Sequence, residues 1–148
     1  MINRLAELRR KKENGEGGFT LIELLVVVVI IGILMAIAVP LYLNYRKGAN
    51  DKAAQSDVRA AISTLEQCNS DNAAYPTAVA TTGGTPTGCA NGKITKSDAT
   101  GDIVYTPVTD GYRIYAKATS GNGNFYCYLS TAGGSVKTLT AAPTGTTC

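Results

Sequence analysis

One carboxylate, Glu23, stands at the start of twenty uncharged residues, 24 to 43. In hydrocarbon a carboxylate is costly, about 2.5 to 3.5 kcal/mol at mid-membrane on insertion scales and less near the interface. A cation beside it would offset that cost, and the chain is able to create one. Cutting the peptide bond between Gly18 and Phe19 would leave an α-amino group on Phe19, four residues before Glu23, where the uncut chain has a neutral amide. The second reactive set is Cys68, Cys89, Cys127 and Cys148. They include no Cys-x-x-Cys pair and the chain has no histidine to complete a metal site. Two disulfides, formed outside the reducing cytoplasm, are therefore favoured over metal ligation.

Other chemistry finds little support. Without histidine there is no His-based nucleophile relay, and the serines have no paired base in a local motif. No phosphate loop or dinucleotide fingerprint is present. The expectation is a protein that is not an enzyme and needs no cofactor. Asp98 and Asp102 make a thin ligand set for calcium and read as a solvated turn, so no metal is expected. Lys93, Lys96, Arg113, Lys117 and Lys137 alternate with Tyr105, Tyr115, Tyr126 and Tyr128, a combination that suits DNA backbone and bases. Five cations on a near-neutral domain are ordinary, however, and tyrosines on strands usually pack, so DNA contact is the subordinate reading.

These residues need elements to hold them. At 1.5 Å per residue, residues 24 to 43 as a helix span roughly 30 Å, the thickness of a hydrocarbon core. Gly32 and Pro40 are its two helix breakers; they either kink it or are tolerated, as both residues often are in membrane helices. Beyond the span Ala54, Val58, Ala61, Leu65 and Cys68 recur at helical spacing, with Ile62 beside them, while Lys52, Asp57, Arg59 and Glu66 fall elsewhere. This predicts one helix over 19–72, membrane-spanning over 19–43 and amphipathic over 44–72. Tyr75-Pro76 marks its stop. Residues 73–91 read as a Thr-rich surface loop, open to O-linked sugar but more simply an exposed loop. The period then becomes two: 103–106, 112–118, 125–129 and 136–139 read as strands, with Asp110-Gly111 and Gly121-Asn122-Gly123-Asn124 as turns. Tyr112, Ile114, Ala116 and Ala118 share one face, as do Phe125, Cys127 and Leu129, and both faces are expected against the helix stripe. The fold class is α+β: a long N-terminal helix packed through its C-terminal half on a small antiparallel sheet.

Gly18-Phe19-Thr20-Leu21-Ile22-Glu23 and the apolar run behind it resemble the processing site of type IV prepilins, a family shared with the pseudopilins of secretion and competence systems. The likeness covers residues 15 to 48 closely and, beyond about residue 72, only the architecture. It implies a leader, 1–18, removed between Gly18 and Phe19 by a prepilin peptidase that also N-methylates Phe19. It implies a bend near Gly32 and Pro40. It also implies assembly through the helices into a filament, with the Phe19 amine of one subunit neutralising Glu23 of the next; the subunit's own amine is within reach too. Of the three possible cysteine pairings, the local one, 68 with 89 and 127 with 148, is expected. Cys68 ends the helix, Cys89 ends the loop after it, and the second pair is similar to the C-terminal disulfide loop of many type IV pilins.

Of the formal charge of +3, the leader's five basic and three acidic residues supply +2, leaving the rest near neutral. Basic residues on both sides of the span orient it weakly; the cysteines and the prepilin-like site place residues 73–148 outside. The main expectation is thus a subunit held in the cytoplasmic membrane and then assembled into an extracellular type IV pilus-like filament for adhesion, motility or DNA uptake. Its partners would be copies of itself, the peptidase, a pilus assembly platform and, less centrally, a host surface or DNA. The alternative is a pseudopilin of a type II secretion or competence system. A permanently anchored binding protein stands behind both.

Overall fold

A computed structural model describes residues 19–89 and 92–148. The expected leader, 1–18, with Gly18 of the cleavage pair, lies outside the described residues. The chain divides into two units between Leu41 and Tyr42. Helix α1, Leu21–Asn72, contributes its first part to one unit and the remainder to the other.

In the first unit α1 begins two residues later than expected, because Thr20 caps it. Thr20 Oγ1 accepts from the Glu23 amide at 3.3 Å, and Glu23 Oε2 accepts from the Thr20 amide at 2.8 Å. This reciprocal pair satisfies amides that an uncapped first turn leaves without partners. The helix continues through Gly32 and Pro40.

In the second unit residues 42–72 of α1 pack on a four-stranded sheet: β1 Val104–Val108, β2 Gly111–Lys117, β3 Phe125–Leu129 and β4 Lys137–Leu139. The strands run in sequence order, each antiparallel to its neighbour. Ala54, Val58, Ala61 and Leu65 are fully buried, against Ile94, Ile103, Tyr112, Ile114, Ala116 and Ala118. Each fully buried Val, Leu or Ile side chain contributes about 1.5 to 3 kcal/mol of transfer free energy, and each alanine methyl less. Ile94 and Ile103 come from irregular segments, and Ile103 donates its amide to the Thr81 carbonyl, so the long loop after α1 is sewn to the sheet.

The face expected for β3 is overturned. Tyr126 pairs with Ala116 and Tyr128 with Ile114. Residues directly opposed in an antiparallel pair share a face, so the two tyrosines look toward α1. Phe125, Cys127 and Leu129 stand on the outer face with Lys117, Tyr115 and Arg113. Cys127 is nevertheless fully buried, because its disulfide to Cys148 brings the C-terminal segment onto that face. In Phe-Tyr-Cys-Tyr-Leu both faces are apolar enough to pack, and alternation could not choose between them.

The structure joins Cys68 to Cys89 and Cys127 to Cys148, each pair 21 residues apart. At the β1–β2 turn it is Asp110, at φ 60°, that takes the left-handed conformation, not Gly111. Gly111 is needed for room: a Cβ there would run into the Ser130 side chain.

Candidate assembly surface

Among the described residues, the large exposed apolar side chains are concentrated on the apolar helix segment. From Phe19 to Leu43 its large apolar side chains are between 46% (Val26) and 83% (Phe19) exposed. Its length and composition suffice to cross a membrane. Twenty-odd residues of bare apolar surface exceed what a water-soluble monomer leaves exposed, so lipid or other protein must cover them.

Glu23 sits at the start of that surface. Both hydrogen bonds to its side chain, from the Thr20 amide and the Thr20 hydroxyl at 2.8 Å each, fall on Oε2. Oε1 has no partner among the described residues, so one oxygen is fixed by the cap and the other is free for an ammonium. Phe19, whose amine would supply such a charge, directly precedes the capping threonine and is the most exposed of these residues. Glu23 is thereby pre-oriented by its own helix. Thr20 was not singled out from the sequence, although Thr-x-x-Glu ahead of an apolar run is a legible capping signature.

In the second unit three carboxylates of α1 hold the rest of the fold. Asp51, 5% exposed, accepts from the Asn122 amide at 3.2 Å and from Asn122 Nδ2 at 2.6 Å. Beside it, Asn50 Nδ2 donates to the Ser120 carbonyl at 3.0 Å. Asp57 Oδ2 receives the Ser97 amide, the Ser97 hydroxyl and the Thr100 hydroxyl. Glu66 receives two phenols, Tyr112 at 2.9 Å and Tyr75 at 3.1 Å. Asp57 and Glu66, expected off the packed stripe, flank it and work as acceptors. Burial, then the Glu66 bond, pushes the Tyr112 phenol far above its ordinary range, and Tyr75 shifts the same way for the same reasons. Burial, with a smaller contribution from Tyr75, pushes Tyr105 up to about 12.

The subordinate DNA-contacting set is brought together only in part: Arg113, Tyr115, Lys117 and Lys137 share the outer face of the sheet, and the rest lie elsewhere. Tyr105, Tyr126 and Tyr128 lie on the helix side of the sheet, and the Tyr105 hydroxyl donates to the Pro76 carbonyl at 2.7 Å. Arg113 is 5% exposed, donates to Thr106 Oγ1 at 3.1 Å and lies over the Tyr115 ring. Lys96 donates to the Thr100 carbonyl. Among the described residues no three His, Cys, Asp or Glu side chains are grouped to hold a metal.

Residues 14–39 match the family described as "Prokaryotic N-terminal methylation motif". The chain is 42% identical over 67 residues to the type II secretion system core protein G of Vibrio cholerae, a match covering 45% of this chain and 46% of that one. The protein of the same name from Pseudomonas aeruginosa is 44% identical over 61 residues, 41% of this chain and 43% of its own. That from Escherichia coli K12 is 42% identical over 60 residues, 40% and 41%. The matches thus span less than half the length of these relatives. No solved structure matches the chain.

Proposed function

We propose, from a chain related to the type IV pilin-like proteins whose apolar helix begins at a glutamate held by a threonine cap, that this protein is a filament subunit of a type II secretion system. In this reading residues 1–18 are a leader cut after Gly18 by a prepilin peptidase, and Phe19 is methylated there. The helix first anchors the subunit in the cytoplasmic membrane, with residues 73–148 outside. Assembly then exchanges lipid neighbours for the helices of other copies. The carrying observation is Glu23, one oxygen held by Thr20 and the other without a partner among the described residues, at the start of a bare apolar helix. A Phe19 amine from an adjacent copy would neutralise it in a low-dielectric core, where removing one partner of such a pair is costly, about 3 to 5 kcal/mol. Repeated head to tail, that contact builds an open helical filament.

Every relative named above is a type II secretion core protein, which moves weight from the surface pilus to the secretion pseudopilin. A surface pilus for adhesion, motility or DNA uptake is the second reading, supported by the methylation motif, which does not distinguish the two. Gly32 and Pro40 are proposed as the places where the helix yields during assembly, since Pro40 removes a backbone donor.

Substituting Glu23→Ala tests the core of the proposal. The expected result is an unchanged membrane level with no polymer; polymer at the normal level would overturn it. Mass spectrometry of the assembled material should find a chain starting at methylated Phe19. Loss of protein export in a strain lacking the gene, with surface fibres intact, favours the secretion reading; the opposite pattern favours the pilus.

A further inference from the structure

On α1 beyond the apolar run, acids and bases part company. Asp51 and Asp57 turn toward the sheet domain and are satisfied by neutral donors. Arg46, Lys47, Lys52 and Arg59 are exposed, and none has an ion-pair or hydrogen-bond partner among the described residues. Lys47 and Asp51 stand four apart, a spacing at which opposite charges commonly pair, yet Asp51 is committed to Asn122. Two tyrosines accompany the first two cations: Tyr42 is 65% and Tyr45 82% exposed.

We infer that Tyr42, Tyr45, Arg46 and Lys47 form a collar that binds the headgroups of anionic phospholipids on the outer surface of the membrane, seating the subunit at a fixed depth before assembly. This rests on the reading of residues 24–43 as a span. Three features carry it. Arg46 and Lys47 follow the last apolar residue, Leu43, by three and four positions, about 5 to 6 Å of rise, which is headgroup depth. Amphipathic tyrosines at that level are the usual interfacial anchors, and long basic side chains there reach the phosphates. Orientation is no explanation for these cations, because charges that set topology belong on the opposite, cytoplasmic side. Lys52 and Arg59, roughly 13 and 24 Å beyond Leu43, stand too far along α1 to share the site.

Near an anionic surface each basic residue is worth about a fivefold preference. The full chain, inserted into vesicles of equal phosphatidylglycerol and phosphatidylcholine, is the material for the test, with native mass spectrometry reading the lipid retained on release. The chain should retain phosphatidylglycerol over phosphatidylcholine, and R46Q/K47Q should reduce that retention about tenfold or more while K52Q/R59Q leaves it unchanged. Leader cations are common to all three proteins and cancel in the comparison. Equal retention by the parent chain and R46Q/K47Q overturns the inference. So does a double variant that keeps its lipid but loses cross-linking between copies, which would assign the surface to a second copy. Alkaline carbonate separates the two levels: protein extracted from the vesicles defeats the span and the collar together, whereas protein that resists extraction without lipid preference defeats the collar alone.

Discussion

At the scale of single residues, Thr20 and Glu23 serve two ends at once. The cap stabilises the first turn, and it also spends only one carboxylate oxygen, leaving the other for a partner. Thr20→Ala removes the hydroxyl and should cost about 1 kcal/mol of first-turn stability, seen as a roughly fivefold faster exchange of the Glu23 amide. Ala73 is a different case. It ends α1 at φ 53°, a left-handed position that costs a residue with a Cβ about 1 kcal/mol and that glycine takes freely. Ala73→Gly should therefore raise the melting temperature of the sheet domain by about 4 °C, measured by circular dichroism in detergent.

At the scale of elements, Asp51, Asp57 and Glu66 add hydrogen bonds between α1 and the loops and strands to the apolar packing of its stripe. Gly121 shows how closely they fit, for a Cβ there would overlap the Asp51 carboxylate and approach the Ala118 Cβ to 2.7 Å. Gly121→Ala should cost about 1 to 3 kcal/mol, read from denaturant midpoints, with the loss concentrated in exchange of the 119–124 amides. The tyrosine cluster predicts an alkaline limit. Tyr105 titrates near 12 in the fold and near 10 when unfolded, and Tyr75 and Tyr112 are raised too. Above pH 10 the unfolded chain releases protons that the fold still holds, so stability is intact below pH 10 and falls as pH rises from 10 toward 12. Tyr105→Phe should flatten that decline in a pH series of thermal melts.

At the scale of the whole molecule, two crosslinks close loops that the small core would otherwise have to order alone. Each 21-residue separation is worth about 3 kcal/mol in chain-entropy terms. Replacing Cys127 and Cys148 by Ser should lower stability by about that amount and free residues 140–148, detectable as faster proteolysis of the C-terminus, while residues 19–43 keep their helix. The bare helix segment and the crosslinked sheet domain thus call on separate forces. One awaits lipid or other copies of the chain, and the other carries its own core.

The apolar span, the stripe from Ala54 to Cys68, the strands and their antiparallel order were legible because each depends on periodicity along the chain, which a linear sequence records directly. The Thr20 cap was legible as well, though unread. The outward face of Cys127, the inward face of Tyr126 and Tyr128, the places of Ile94 and Ile103 in the core, and the hydrogen bonds of Asp51, Asp57 and Glu66 were not. Each of these depends on which segment, distant along the chain, arrives opposite: Asn122 lies 71 residues from Asp51, and Tyr112 lies 46 from Glu66. Local pattern specifies which way a side chain alternates, but the register between strands and the closing of the long loops determine what it meets.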